Sequence, residues 1–415
     1  MPEIVKTRAP WRGRIRAGVV VAAAAVLLVT GSACSGGSDG ASGVKATRSA
    51  TPTPTPTPTV TITGGAAKVP FDSKVKLSVH DGTFTAVTVD GATGDLPGSI
   101  SADGSAWTSS SLPMPKASYD VSAQVKDKAG KAFTKTLQVK VKDVPSTKAL
   151  LFNVTPNDGE TVGMGQPIAV SFLSPIVRQA SVERRMKVIA TTPGGSKVTG
   201  SWHWLGSQVV HWRPEHFWPT GTRVKLKMEL TGVRAAKSLW GRKTYSESFT
   251  IGSSRLAEVS AKTHMMRVYK DGKLIGNWPT GTGQTKWPTY NGTYIVLNKS
   301  HTVQMDSCSA KITCDKKNPA YYNEKVHWAT RITSSGTFVH AAPWDKVMGK
   351  ANTSHGCIHL SNAHAISFYQ TSTPGDVVIV TGSNRGPEAR VSQGDPGLVD
   401  WNTSWATWKA GSALH

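Results

Sequence analysis

Thr353-Ser354-His355-Gly356-Cys357-Ile358-His359-Leu360-Ser361 decides how this chain is read, together with Phe338-Val339-His340-Ala341-Ala342-Pro343-Trp344 shortly before it. A thiol attacks a carbonyl only as thiolate, so it needs a nearby base or cation. It also needs donors for the oxyanion that forms during attack. Gly356, beside the Cys, permits a tight turn and close approach of a substrate. A His on a neighbouring strand, such as His340, can take the thiol proton. Two other readings fit the same residues. His340, His355, Cys357 and His359 are all acceptable zinc ligands, and positions 355, 357 and 359 share one face of a strand. Alternatively the histidines are buried structural residues and the Cys is inert.

Working outward, the surrounding segment, 253–382, is mostly β. Met265 to Tyr269, the turn Asp271-Gly272 and then Leu274-Ile275 predict a hairpin. Pro288 to Val296 predicts a further strand. Ser361 is placed to cap a short helix carrying Ile366, Phe368 and Tyr369, and Pro374-Gly375 leads into a strand over Val377 to Val380. Upstream, 60–145 alternates with period two through Val75, Leu77 and Val79, through Val121, Ala123 and Val125, and through Leu137, Val139 and Val141. Residues 146–252 repeat the pattern at Val224, Leu226, Met228 and Leu230. Each segment predicts a small β-sandwich. Trp202, Trp204, Trp212 and Trp218 read as sandwich core, with a carbohydrate-stacking platform as the other reading. In the tail, 383–415, Trp401, Trp405 and Trp408 share one face of a short helix, predicted to dock on the 253–382 domain.

The N-terminus predicts export. Arg8, Arg12, Arg14 and Arg16 precede an uncharged stretch whose apolar core runs from Val19 to Val29. Thr30-Gly31-Ser32-Ala33-Cys34 resembles a bacterial lipobox with Gly31 where an aliphatic residue is usual, so 1–34 is expected to be a signal peptide ending at a lipidated Cys34. Ordinary cleavage and a retained anchor are the alternatives. Residues 35–59 are small and polar, then Thr-Pro alternating, and form an extended spacer rather than a core. The net charge of +22, from 48 basic and 26 acidic side chains, is dispersed along the chain. No nucleic-acid signature accompanies it, and an anionic membrane surface or wall polymer is the expected counterpart. With Cys34 lipidated, Cys308 and Cys314 are close enough to close a small loop in an oxidising space, leaving Cys357 as a free thiol.

The pair His340-Ala341-Ala342-Pro343-Trp344 and Ser354-His355-Gly356-Cys357 resembles the active-site motif of the L,D-transpeptidases, the YkuD-type catalytic domain. Pro288 to Val296 resembles an early strand of that domain, Met305-Asp306-Ser307 and Tyr322 through Trp328 its lid, and Val377 to Val380 its closing strand. The two sandwiches, the lipobox and the Trp-rich tail resemble the actinobacterial members, which implies immunoglobulin-like domains upstream of the catalytic one. The resemblance implies that Cys357 is acylated by a peptidoglycan stem peptide and that His340 is the base. It implies that His355 lines the site and helps hold the Cys loop, and that the N–H groups of Gly356 and Cys357 serve the oxyanion. Tyr322, Met305, Gly336, Phe338 and Trp344 are implied to line the donor pocket. It implies no metal and no cofactor, carbapenem β-lactams as inhibitors, and an extracytoplasmic, lipid-anchored location within the cell wall. The implied reaction is 3→3 cross-linking, with carboxypeptidase or endopeptidase action through the same acyl-enzyme, or a non-catalytic wall-binding lipoprotein, as rivals. Ala341 stands where a Ser often follows the base, and His359 where Asn or Arg is common, which touches the polarity of the donor pocket. A disulfide between Cys308 and Cys314 is not a general feature of the family.

Overall fold

The computed structural model describes residues 56–65, 67–386 and 398–414. Cys34, residues 1–34 and nearly all of the 35–59 spacer lie outside the described residues. The described chain is mainly β, as the period-two patterning predicts. Among the described residues no helix is long and apolar enough to cross a membrane.

The alternating positions of the first sandwich meet inside it. Thr59–Ile62, Lys76–His80, Ala106–Ser109 and Gly98–Ile100 form one sheet, and Gly82–Gly91, Ser118–Asp127 and Ala132–Lys140 the other. Leu77, Trp107, Val121, Val125 and Val139 fill the space between them. Trp240, from the second sandwich, completes this core by packing edge-on against Phe71, with ring centroids 5.3 Å apart.

In the second sandwich, Gly200–Trp204, Val209–Pro214, Ile168–Phe172 and Phe152–Thr155 face a sheet of Met186–Thr191, Arg223–Glu229, Thr244–Ile251 and Thr161–Val162. The Trp cluster is core. Trp202 pairs across the strands with Trp212. Trp218 is 2% exposed, and its Nε1–H donates to the Gln166 carbonyl at 2.7 Å, so the one polar atom of a large buried ring is satisfied.

The catalytic-type domain is built from two sheets. Strands β1 (Arg255–Ser260), β2 (Met265–Lys270), β3 (Lys273–Pro279), β4 (Gly292–Ile295) and β9 (Val377–Thr381) form one, in the order β3-β2-β1-β9-β4. Strands β5 (Asn298–Asp306), β6 (Asn323–Arg331), β7 (Phe338–Ala341) and β8 (Ile358–Leu360) form the other, in chain order. The β2–β3 turn places Asp271 and Gly272 at positive φ, which the Asp-Gly pair tolerates. Helix α1 (Asn362–Thr371) begins at Ser361, whose side chain accepts from the His364 N–H. Val259, Met266, Tyr294, Val339, Ile358, Leu360 and Phe368 form the core between sheets and helix.

This domain has no free seam with the second sandwich. Val377 belongs to the sandwich core, with Leu256 and Ile379 packed against it. The N–H groups of Gly163 and Gly165 donate to the carbonyls of Pro374 and Gly375, each at 2.8 Å. The approach is so close that a Cβ on Gly163 would fall 2.2 Å from the Asp376 nitrogen.

The tail departs from expectation in two ways. The Trp face is split over helices α2 (Leu398–Asn402) and α3 (Trp405–Ala410), with Ser404 capping the second. Its rings dock chiefly on the second sandwich, not on the 253–382 domain. Trp408 stacks on His203 and donates to the Ser201 carbonyl, and Trp401 donates to the Gly165 carbonyl. The Arg213 guanidinium lies 4.6–5.2 Å from the rings of Trp401, Trp405 and Trp408. That cation–π nest explains the destination: the sandwich offers a buried cation to the aromatic face. The catalytic-type domain is reached by Asn402, which bonds both backbone groups of Thr293, and by Ser383 and Arg385, which bond Asn291 and Tyr290.

Candidate active site

Parallel pairing of β7 with β8 sets the site. The register puts His340 beside His359, Val339 beside Ile358 and Ala341 beside Leu360. Alternation then divides the strands: Val339, Ala341, Ile358 and Leu360 enter the core, while Phe338, His340, Cys357 and His359 line a pocket of about 870 Å³. The opposite wall comes from β5, β6 and the segment between them, through Val303, Met305, Ile312, Tyr322 and Val326. Met305 and Cys357 pack against the Val326–Phe338 cluster. Gly336 contributes its carbonyl, 3.9 Å from the Cys357 Sγ and accepting from the thiol. Trp344 stands at the rim, 44% exposed.

The turn before Cys357 is braced by hydroxyls. The Ser354 O–H donates to the Cys357 carbonyl at 2.6 Å, and the Thr289 O–H donates to the Gly356 carbonyl at 2.8 Å. Gly356 takes φ +122°, a conformation that favours Gly. Its N–H donates to Ser354 Oγ at 3.0 Å, so it is already occupied, contrary to the oxyanion role implied by the resemblance. Cys357 supplies the N–H of that turn still available for such a role. His355 does not touch the thiol loop alone: its half-buried ring packs between Trp287 and Tyr322, at centroid distances of 4.6 and 5.0 Å, bridging the two pocket walls.

The electrostatics favour neutral partners at rest. His340 is 2% exposed, and its Nδ1 lies 2.9 Å from the Ala341 carbonyl. A carbonyl only accepts, so Nδ1 carries the proton and Nε2 is left as the basic nitrogen. Burial lowers its pKa to about 3, reinforced by the charge of His359 and only partly offset by the Ala341 carbonyl. Burial pushes the Cys357 thiol up to about 11, against smaller opposing effects of the Phe338 backbone and Arg331. Burial likewise raises Tyr322 to about 12. Cys308 and Cys314 are joined, with Cα atoms 4.4 Å apart, in the segment facing Cys357, and Cys357 is free.

A family profile described as the L,D-transpeptidase catalytic domain matches residues 254–380, and one described as a bacterial Ig domain matches 66–234. L,D-transpeptidase 2 of Mycobacterium tuberculosis is 34% identical over 85% of this chain and 83% of its own length. The chain belongs to the L,D-transpeptidases. L,D-transpeptidase 5 of the same organism is 30% identical over 84% of this chain and 75% of its own. The crystal structure of L,D-transpeptidase 3 from M. tuberculosis in complex with a faropenem-derived adduct shares 32% identity, with a TM-score of 0.47, over 57% of this chain and all of that one.

Several residues of this L,D-transpeptidase's site escaped sequence reasoning. Trp287 comes from the loop before β4, as does Thr289, which bonds the Gly356 carbonyl behind the site, and Arg331 comes from the end of β6. Asp345 was missed although it directly follows Trp344. Its Oδ2 accepts from His359 Nδ1 at 2.7 Å and from the Thr353 hydroxyl at 2.8 Å. An acid next to the first motif, set against an unexpected His in the second, was the available signal. His359 itself is 7% exposed and lies against His340, ring centroids 5.1 Å apart. It lines the pocket beside the base. Among the described residues, no group of three or more His, Cys, Asp or Glu gathers as a metal site.

Proposed function

We propose that this L,D-transpeptidase forms 3→3 cross-links in peptidoglycan through an acyl-enzyme on Cys357. The observation that carries the reading is that His340 on β7 and Cys357 in the turn into the neighbouring β8 line one pocket, with the His340 tautomer fixed by the Ala341 carbonyl. Sγ attacks the carbonyl of the third stem residue while His340 Nε2 takes the thiol proton. The N–H of Cys357 faces the oxyanion. The C–N bond to the terminal D-Ala breaks, the proton passes from His340 to the leaving amine, and a thioester remains. An amine of a second stem then attacks the thioester, His340 takes its proton, and the thiol is released with the new amide. Val303, Met305, Tyr322 and Trp344 hold the donor stem beneath the disulfide-closed segment. β-Lactams of the carbapenem class present a strained carbonyl to the same sulfur and acylate it. Lipid on Cys34 holds the enzyme at the outer face of the cytoplasmic membrane, and the Thr-Pro spacer extends it into the wall.

Incubation of the protein with purified tetrapeptide stems, followed by mass analysis, yields cross-linked dimers with loss of D-Ala. Release of tripeptide without dimers would replace transpeptidation with carboxypeptidase action. Cys34→Ala releases the protein from membranes; continued membrane fractionation would point to the apolar segment as an anchor.

A further inference from the structure

We propose that Asp345 and His359 form a positioning pair that sets the proton affinity of the base His340, so that the pH dependence of Cys357 acylation is governed from the neighbouring strand. The inference rests on the reading of Cys357 and His340 as nucleophile and base.

Three observations carry it. The first is register. His359 is the residue opposite His340 in the β7–β8 pair, and the two rings meet edge to face at 5.1 Å. The second is the clamp. The Asp345 carboxylate is 2% exposed and accepts from His359 Nδ1 at 2.7 Å, from the Thr353 hydroxyl at 2.8 Å and from the Val347 N–H at 3.2 Å. Burial alone would push this carboxyl up; the three donors outweigh it and hold it below the ordinary carboxylate range. A buried carboxylate at Nδ1 takes that nitrogen's N–H, orients the ring and sets a negative charge beside it. The third is what the ring faces. The titratable and charged groups around it are Asp345 from the turn after β7, His340 from β7, and His355 and Cys357 from the turn into β8. The Thr280–Gly283 segment beneath adds only hydroxyl and backbone groups, including the Thr280 O–H donating to the His359 carbonyl at 2.7 Å. No acid other than Asp345 stands among these groups. A charge on His359 therefore acts directly on His340, whose pKa it helps depress after burial, and on His355 in the same sense.

The consequence is kinetic. A proton on His340 removes the base, so acylation falls away at the pH where His340 titrates. The His359 charge keeps that limb at low pH. Removing it at this separation moves the limb upward by roughly two pH units at an effective dielectric of about 20.

The test follows imipenem acylation of the whole protein, by absorbance and intact mass, from about pH 3 to about pH 8. His359→Asn is expected to move the acidic limb to higher pH. Asp345→Asn, which takes away the counter-charge and leaves the His359 charge uncompensated beside His340, holds the limb at or below its wild-type position. The double variant moves it no further than His359→Asn alone. For His359→Asn, superimposable limbs, a downward shift, or a uniform loss of rate at every pH would overturn the proposal, the last marking a purely structural role. Thermal melts check folding, and His359→Gln decides the matter if His359→Asn does not fold. Wild-type protein that gains no adduct on the Cys357 peptide would refute the nucleophile reading instead.

Discussion

Alkylation of Cys357 by iodoacetamide separates a resting ion pair from a concerted base, and the structure predicts the second. The thiol is pushed up to about 11 and His340 down to about 3, both chiefly by burial. Neither group is charged at neutral pH, when the thiolate fraction is about 10⁻⁴. The raised thiol keeps its proton throughout the range below its pKa, and the depressed imidazole is already unprotonated above about pH 3. The alkylation rate, read by intact mass, should therefore climb tenfold per pH unit from neutrality into the alkaline range with no neutral plateau. His340→Ala should leave this profile nearly unchanged, because the base holds no proton from the resting thiol. The same substitution should slow β-lactam acylation by about 10²–10⁴, because there the proton must leave as the C–S bond forms. A pH-independent alkylation plateau near neutrality, abolished in His340→Ala, would show a preformed thiolate–imidazolium pair and refute the reasoning.

Further outcomes are equally direct. Ser354→Ala removes the hydroxyl that joins the Gly356 N–H to the Cys357 carbonyl, and should slow acylation about tenfold with little change in fold, at about 1.4 kcal/mol for the lost bracing, checked by stopped-flow acylation. Trp408→Ala empties a fully buried position between tail and sandwich and should cost about 3–5 kcal/mol in denaturant unfolding. Gly163→Ala forces a Cβ onto the Asp376 nitrogen and should cost about 1–3 kcal/mol, read as a lower melting temperature. Replacing Cys308 and Cys314 with Ser should loosen the pocket-facing segment, raising KM for the donor stem more than it lowers kcat.

The parts of the fold written in local pattern were legible in the sequence. Val224, Leu226 and Met228 alternate into the second core, Asp271-Gly272 turns the β2–β3 hairpin, and Ser361 caps α1. That Cys357 and His340 line one pocket was legible because the chemistry of a reactive thiol restricts its partners. What stayed hidden depends on contacts across the chain. The destination of the Trp tail is set by Arg213, nearly two hundred residues away, and by the His211–Asp400 contact of 3.1 Å. The occupied Gly356 N–H depends on which way the Ser354 hydroxyl turns, and the role of His359 depends on a strand register. None of these leaves a periodic trace.

The close Gly163–Gly375 approach also bears on how the molecule carries force. On the proposed mechanism, a donor stem bonded to Cys357 makes the enzyme covalently part of the wall, and tension in that wall pulls on the turn into β8. The load passes from β8 into the shared core, then through β9 and the paired carbonyls of Pro374 and Gly375 into the second sandwich. The tail helices rivet the same joint from the other side through Thr293 and Ser201. A pull on the catalytic-type domain is thereby shared with the second sandwich at more than one point.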